Sequence, residues 1–178
     1  MDTTKWLAQR YPGRMTATPG PIPATDAPAV TDDWLRLDQQ ICFSLNSAVR
    51  AFNGVYRVVL KDLGLTYPQY LVMLVLWEDG TVPVKRLGER LRLDSGTLSP
   101  LLKRLEAAGL VHRERSARDE RSVEVRLTEE GAALREQAVR VPRRISAATG
   151  LRVEEMRALS STLADLTAAL DKAAAEGA

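Results

Sequence analysis

The chain has 178 residues, of which 45% are apolar, with 25 Lys and Arg against 23 Asp and Glu. This length and apolar content predict one domain with a core, and the nearly balanced charge does not by itself indicate a nucleic-acid binder. A single cysteine excludes an intrachain disulfide framework. No apolar run approaches the roughly 18 residues of a membrane span, and no basic segment precedes a long apolar run at the N-terminus. We therefore expect a cytoplasmic protein that does not enter a membrane.

The first segment, residues 1–33, holds five of the nine prolines and has no apolar period. Such a segment cannot bury enough apolar surface to fold, which predicts a disordered tail. Asp32 and Asp33 are placed to cap a helix that begins at Trp34. The apolar residues of this helix recur at spacings of four and three and form one continuous seam: Leu37, Ile41, Leu45, Ala48, Phe52 and Val55.

A second helix is predicted over residues 67–78, because Thr66 can serve as its N-cap and Pro68 is tolerated in its first turn. The apolar residues of this helix wrap most of the way round it, as in a buried central helix. Residues 82–84 then predict a short bridge strand, and residues 85–91 predict a short supporting helix.

The next helix is capped by Asp94 or Ser95 and ends at Gly109, a residue type that suits the position just after a helix. Its inward face consists of four leucines at helical spacing: Leu98, Leu101, Leu102 and Leu105. Residues 110–115 and 122–127 then alternate apolar and polar side chains across a polar tip, which predicts a β-hairpin.

After the hairpin, Thr128 begins a long helix that Pro142 should kink, because proline removes one backbone hydrogen bond and its ring crowds the preceding turn. A last helix carries a coiled-coil-like stripe with nothing left in the chain to cover it: Met156, Leu159, Leu163, Leu166 and Leu170. A second copy of the chain could cover this stripe, so we expect a homodimer.

This order of elements predicts a mainly α fold with a small β-hairpin wing, that is, a winged helix-turn-helix. We place the domain at residues 34–174, with dimerisation helices at 34–63 and 128–174 and a DNA-binding lobe at 64–127. Residues 85–126 hold eleven basic residues against seven acidic ones. The lobe thus carries a local positive surplus that the whole chain does not show.

In the predicted recognition helix, small side chains near its start let the backbone approach base edges: Ser95, Gly96, Thr97 and Ser99. Lys103 and Arg104 follow, placed to meet phosphates. At the wing tip, Arg118 and Arg121 are placed to enter a narrow minor groove, with Asp119 orienting Arg121. A dimer presents two recognition helices about 34 Å apart, so the expected partner is double-stranded DNA with a pseudo-palindromic operator.

Five sequence segments carry a family resemblance: Gln40-Ile41-Cys42-Phe43, Leu65-Thr66-Tyr67-Pro68-Gln69-Tyr70-Leu71, Leu93-Asp94-Ser95-Gly96-Thr97-Leu98, Leu102-Lys103-Arg104-Leu105-Glu106 and Asp119-Glu120-Arg121-Ser122. With these segments, the chain from about residue 35 to about residue 172 resembles the MarR family of winged-helix repressors, and within it the one-cysteine OhrR subgroup, which senses organic hydroperoxides. The resemblance implies that Cys42 is the peroxidatic cysteine, hydrogen-bonded by Tyr56 and Tyr67 of the partner subunit. Arg121, supported by Asp119, would be the minor-groove arginine. The implied reactants are an organic hydroperoxide and a low-molecular-weight thiol, and oxidation would release the operator.

The chemistry of a thiol constrains this sensor. Only a thiolate attacks a peroxide, and hydroxyl donors stabilise that anion. Cys42 and Tyr56 are fourteen residues apart, roughly 21 Å along a straight helix at 1.5 Å per residue, so they cannot touch within one chain. The sensor is therefore expected to need the dimer. Asn46 stands where some members have tyrosine, and no second cysteine is present to resolve the oxidised form, so a mixed disulfide is expected.

Other interpretations stay open. A lone cysteine on an apolar helix face is often only a small buried hydrophobe. A MarR-type repressor released by a non-covalent small aromatic ligand would not use Cys42, and a helical dimer serving only as a scaffold would not bind DNA. An enzyme would need a base beside the thiol, yet the only histidine, His112, begins the wing strand, and no acid or metal cluster accompanies it. We expect no enzyme activity, no metal and no cofactor.

Overall fold

The computed structural model describes residues 35–116 and 122–177. The chain divides into two units, residues 1–49 and 50–178. In the first unit, the described residues form a 3₁₀ turn, Leu37–Gln39, and the start of helix α1, Ile41–Val59.

The expectation that an α-helix begins at Trp34 is wrong for the residues before Ile41. Gln40 has an extended backbone, with φ −80° and ψ 110°, and this conformation separates the 3₁₀ turn from α1. The proposed caps Asp32 and Asp33, like Trp34 itself and the predicted tail, lie outside the described residues. The seam residue Ile41 is exposed, and Leu45 is half-buried.

The second unit holds the rest of α1 and most of the fold. Its further elements are a 3₁₀ turn (Lys61–Leu63), α2 (Tyr67–Asp79), β1 (Val82–Pro83), α3 (Val84–Leu91), α4 (Ser95–Ala107), β2 (Val111–Arg115), β3 (Val123–Leu127), α5 (Glu129–Ala138), α6 (Arg140–Thr149) and α7 (Val153–Glu176). The predicted fold class, mainly α with a small hairpin wing, is confirmed.

The three strands form one antiparallel sheet in the order β1-β3-β2. In the hairpin, which we call the wing, Val111 pairs with Leu127 and Arg115 with Val123. The bridge strand pairs Val82 with Val125. Both the predicted hairpin and the predicted bridge strand are therefore present.

Helix α2 lies at the centre of the core. Its first turn is fixed by Thr66, whose backbone N–H and hydroxyl each donate to Gln69 Oε1 at 2.9 Å. Six of its residues are buried: Gln69, Tyr70, Val72, Met73, Val75 and Leu76. Fully buried side chains of neighbouring segments surround it: Leu60, Leu87, Leu98, Leu102, Leu105, Val111 and Val125. The predicted central helix is confirmed.

Helix α4 begins and ends where the sequence indicates. Asp94 is the N-cap, and its carboxylate accepts hydrogen bonds from the Thr97 N–H at 2.8 Å and the Thr97 hydroxyl at 2.9 Å. Gly109 lies just past the C-terminus with a φ of 73°, a left-handed conformation that favours glycine. The four predicted inward leucines are all buried.

We expect Asp94→Ala to destabilise the second unit at neutral pH and to matter less in acid. The two hydrogen bonds from Thr97 hold the pKa of Asp94 below its ordinary value of 3.8. A carboxyl whose pKa is lower in the folded chain than in the unfolded chain stabilises the fold above its ordinary pKa, and this contribution is lost as the pH falls through the folded pKa. Thermal unfolding of native protein and variant at about pH 7 and about pH 3 should show a gap in Tm that narrows in acid.

Asp94→Asn is the matched control, because asparagine keeps a capping oxygen without a titrating group. Its Tm at neutral pH should lie between those of the native protein and Asp94→Ala. The same gap between native protein and Asp94→Ala at both pH values would show that the titrating cap does not contribute.

The helical region after the wing is three helices, where two were expected. Proline has no N–H to donate to the carbonyl four residues earlier, so Pro142 removes the bond to Ala138, and α5 ends at that residue. The predicted interruption is thus present, with only Val139 between α5 and α6, and the backbone of Val139 is itself helical with φ −53° and ψ −27°. Helix α7 contains no buried residue, and its stripe residues Leu159, Leu163 and Leu170 are exposed.

Within the described chain, none of the helices combines the length and the apolar character that crossing a membrane requires.

Candidate functional site

The surface predicted to read DNA is the first half of α4. Ser95, Gly96 and Thr97 form its first turn and are exposed, while Ser99 is half-buried. The hydroxyl of Thr97 donates to Asp94, so the cap holds this side chain in place. A Cβ on Gly96 would lie 3.0 Å from Asp94 Oδ1, so the glycine leaves room for the capping carboxylate.

The two predicted phosphate contacts lie further along the same helix. Lys103 and Arg104 are exposed and, among the described residues, neither forms an ion pair. Pro100 lies inside α4, between the residues predicted to contact bases and the two predicted phosphate contacts. Because proline has no N–H, the carbonyl of Gly96 lacks its usual helical donor. This local feature was not predicted, although Pro100 is itself the signal for it.

The wing is fixed to α4 by a double contact that sequence reasoning missed. The Arg113 backbone N–H donates to one Glu106 carboxylate oxygen at 3.1 Å, and Arg113 Nε donates to the other at 2.8 Å. These bonds hold the pKa of Glu106 below its ordinary value, against a smaller opposing effect of burial. The base of the wing and the end of α4 are therefore joined by a charge-assisted pair. The wing-tip residues Arg118, Asp119 and Arg121 lie outside the described residues.

The residues predicted to sense peroxide occupy α1 and α2. Cys42 is exposed on α1, in the first unit. In the second unit, the structure brings Tyr56 and Tyr67 together, with ring centroids 4.3 Å apart and ring planes tilted by 31°. Tyr70 follows at 6.2 Å from Tyr56. Burial, and to a lesser extent the two neighbouring phenols, raise the pKa of Tyr56 to about 12, so its hydroxyl keeps its proton at neutral pH.

Comparison with known proteins places this arrangement in a family. The profile described as transcriptional regulator SarA/Rot matches residues 54–137. The chain is 47% identical over 131 residues to the organic hydroperoxide resistance transcriptional regulator of Bacillus subtilis (strain 168), covering 74% of this chain and 89% of that protein. The chain belongs to the MarR/SarA-type family of winged-helix transcriptional regulators. It is thus a DNA-binding transcriptional regulator.

Two further relatives agree with this assignment. The regulator is 49% identical over 135 residues to the HTH-type transcriptional regulator TtmR of Methylorubrum extorquens (strain PA1), covering 76% of this chain and 69% of that one. It also matches the DNA-bound structure of reduced AbfR, a protein of Staphylococcus epidermidis, with 37% identity and a TM-score of 0.66 over 78% of this chain and 96% of that chain. These relatives are regulators and not enzymes, which confirms that expectation.

The turn between α3 and α4 gives the regulator a rigid helix-turn-helix. Arg92 takes up a left-handed conformation with φ 54°, and the Leu93 N–H donates to the Gly88 carbonyl at 2.9 Å. Arg90 on α3 donates to Glu78 at 3.0 Å and to Asp79, both at the end of α2. The supporting helix is therefore held against the central helix, so that α4 is presented on a fixed base.

Proposed function

We propose that the regulator is a cytoplasmic, homodimeric repressor that binds a pseudo-palindromic operator and releases it when an organic hydroperoxide oxidises Cys42. The observation that carries the proposal is the 47% identity to the Bacillus organic hydroperoxide resistance regulator, combined with an exposed thiol that is the only one in the chain. Cys42, in this proposal, is the reacting group and not a packed hydrophobe.

The DNA-binding part of the proposal uses the exposed face of α4. Ser95, Gly96, Thr97 and Ser99 meet base edges in the major groove, and Lys103 and Arg104 meet phosphates. The exposure of the first turn and the absence of ion-pair partners at Lys103 and Arg104, among the described residues, support these roles. At the wing tip, Arg118 and Arg121 enter the minor groove, with Asp119 orienting Arg121.

The dimer in this proposal is supported by helix α7. A helix of 24 residues that carries an apolar stripe and contains no buried residue is only marginally stable unless another surface covers the stripe. A second copy of α7 offers a matching stripe, and two-fold symmetry makes such a contact self-complementary. The same symmetry sets two α4 helices about 34 Å apart, the spacing of successive major-groove sites on one face of DNA.

The sensing step begins at the Cys42 thiolate. Its sulfur attacks one oxygen of the hydroperoxide, the O–O bond breaks, and an alcohol leaves after taking up a proton, so the sulfur becomes a sulfenic acid. The hydroxyls of the partner subunit's Tyr56 and the partner subunit's Tyr67 donate to the thiolate before this attack. The contact between the two rings, with centroids 4.3 Å apart, supports this step, because it sets two phenols side by side and a phenol hydroxyl can donate to an anion.

The sulfenic acid then condenses with a low-molecular-weight thiol, forming a mixed disulfide and water, because the chain has no second cysteine. A bulky adduct at the dimer contact changes the spacing of the two α4 helices. Typical allosteric couplings of about 1–3 kcal/mol weaken binding roughly 5- to 150-fold, which is enough to release a promoter.

We expect the native protein to bind DNA taken from upstream of its own gene, and to release it after treatment with cumene hydroperoxide and a low-molecular-weight thiol. Cys42→Ser should bind with similar affinity and should not be released. Fluorescence anisotropy across a series of salt concentrations measures both properties, and affinity should fall as salt rises, because bound phosphates release counterions.

A variant that keeps one thiol but moves it along α1 tests whether release depends on the position of the thiol. In Cys42→Ser combined with Ser44→Cys, the thiol moves two residues along α1 and about 200° round it. This variant should bind DNA and resist release. Release of all three proteins would instead favour a non-covalent ligand that does not need Cys42. Absence of salt-dependent binding to that DNA by any of them would contradict the operator assignment.

A further inference from the structure

Two tyrosine rings are in contact within the second unit. Tyr56 lies near the end of α1 and Tyr67 is the first residue of α2, and both side chains are half-buried. Their ring centroids are 4.3 Å apart, which places ring atoms of the two phenols at van der Waals distance. The turn between them is fixed by Gly64, whose φ of 64° is left-handed, and by the Thr66 cap on α2. The contact is therefore built into the fold of one chain.

We propose that Tyr56 and Tyr67 are a modification site, at which one-electron oxidants such as alkoxyl and peroxyl radicals produce an intramolecular dityrosine cross-link. Each phenol gives one hydrogen atom to a radical, which becomes an alcohol or a hydroperoxide. The two tyrosyl radicals then join through ring carbons next to the hydroxyls. The hydrogen on each of these carbons moves to its oxygen, so both phenols are restored. Two tyrosines and two radicals thus give one cross-link, and the protein loses two hydrogen atoms.

The geometry favours this pair over pairs that include Tyr70, the other tyrosine of the second unit. Tyr70 lies 6.2 Å from Tyr56 and is almost fully buried. Radical coupling requires the two rings to meet, and groups already held in contact react far faster than groups that meet by diffusion. Burial also keeps Tyr56 protonated, so the reaction proceeds by transfer of a hydrogen atom from a neutral phenol. Coupling between Tyr56 and Tyr67 should therefore exceed both coupling to Tyr70 and coupling between chains.

Formation of the cross-link is independent of the proposed thiol chemistry, because the reaction involves neither Cys42 nor DNA. It would join α1 to the start of α2 permanently, whereas a mixed disulfide is reversible. One consequence rests on the proposed function: a cross-linked chain no longer presents Tyr56 and Tyr67 as separate donors to the thiolate, so it should lose its response to hydroperoxide.

The test exposes native protein and Cys42→Ser to peroxyl radicals from a water-soluble azo initiator. We expect blue dityrosine fluorescence in both proteins, an intact mass lower by two hydrogen atoms, and migration as a single chain on a denaturing gel. Trypsin cleaves after Arg50, Arg57, Lys61 and Lys85, so Tyr56 lies in peptide 51–57, and Tyr67 lies with Tyr70 in peptide 62–85. The cross-linked product should be these two peptides joined.

Conservative Tyr→Phe variants identify which two tyrosines form the cross-link. Tyr56→Phe and Tyr67→Phe keep the ring packing and should each lower the yield at least about tenfold, while Tyr70→Phe should change it less than about twofold. A link lost in Tyr70→Phe but kept in Tyr67→Phe would overturn the assignment. So would a product found only between two chains, or tyrosine oxidation without any link. Because Cys42→Ser is expected to cross-link like the native protein, failure here is distinct from failure of the thiol switch.

Discussion

Gly131→Ala should destabilise the second unit by about 3 kcal/mol, because a methyl group at this position would penetrate a neighbouring backbone. A Cβ on Gly131 would lie 2.0 Å from the carbonyl oxygen of Leu110 and 3.0 Å from its carbonyl carbon. Real Cβ atoms do not approach backbone atoms so closely, so one of the two segments must move. Both are held: the Leu110 carbonyl accepts the Thr128 N–H at 3.1 Å, and the Gly131 N–H donates to the Thr128 hydroxyl at 2.9 Å.

The displacement would also break a link to the central helix. The Trp77 indole N–H on α2 donates to the Gly131 carbonyl at 2.8 Å. Moving α5 away from Leu110 lengthens this bond and leaves a half-buried indole donor without its acceptor, which adds to the cost of the clash. For a chain of this size, a loss of about 3 kcal/mol corresponds to a fall in Tm of about 6 to 12 °C, measurable by circular dichroism or calorimetry.

Gly54→Ala is the matched control for that experiment. Gly54 lies inside α1, and among the described residues a Cβ there would meet no atom within 4 Å beyond its chain neighbours and the backbone of its own helix. Alanine favours helix over glycine, so this variant should be more stable than the native protein by roughly 0.5–1 kcal/mol. If Gly131→Ala unfolded at the native Tm, the close approach of α5 to Leu110 would not be a property of the folded chain in solution.

Elements that depend on local pattern could be predicted from the sequence. The Thr66 cap with Pro68 in the first turn located α2, and the spacing of four leucines with Asp94 and Gly109 located α4. Such signals act within a few residues, so they need no knowledge of the rest of the fold. The wing strands were also predicted, because alternation of apolar and polar residues reports a half-buried sheet.

Features that depend on long-range packing could not be predicted in the same way. Nothing local shows that Glu106 faces Arg113 across the junction of α4 and the wing, or that Gly131 must be small because Leu110 lies against it. The apolar seam of α1 indicated a helix but not its start, because its period extends to Leu37, which the structure places in a 3₁₀ turn. Pairing between distant segments is set by the tertiary fold and not by local propensity.

In the candidate site, too, some features follow from local sequence pattern and others depend on long-range packing. The exposed residues at the start of α4 follow from the helix pattern, whereas the contact between Tyr56 and Tyr67 depends on how the chain reverses between α1 and α2. Family resemblance drew attention to both tyrosines without indicating that their rings touch. The helix pattern and the family resemblance therefore indicated the chemically capable residues, and the fold determined which of them are neighbours.

A charge placed on the stripe of α7 should separate the proposed dimer and abolish tight DNA binding. Leu163 lies in the middle of that stripe, and Leu163→Glu would have to bury a carboxylate in any contact that covers it. A monomer engages one half-site only, and loss of the second engagement typically costs about 100-fold or more in apparent affinity. Light scattering with size-exclusion chromatography should show a monomer, and fluorescence anisotropy should show this loss of DNA affinity.

Ser161→Glu is the matched control, because it adds the same charge about 200° round the helix from Leu163. This variant should remain a dimer with native affinity for DNA. Since α7 contributes no buried residue to its own chain, Leu163→Glu should keep the core of the second unit folded, and any loss of helical signal in circular dichroism should be limited to α7. A dimer of native affinity in Leu163→Glu would mean that the two chains meet elsewhere.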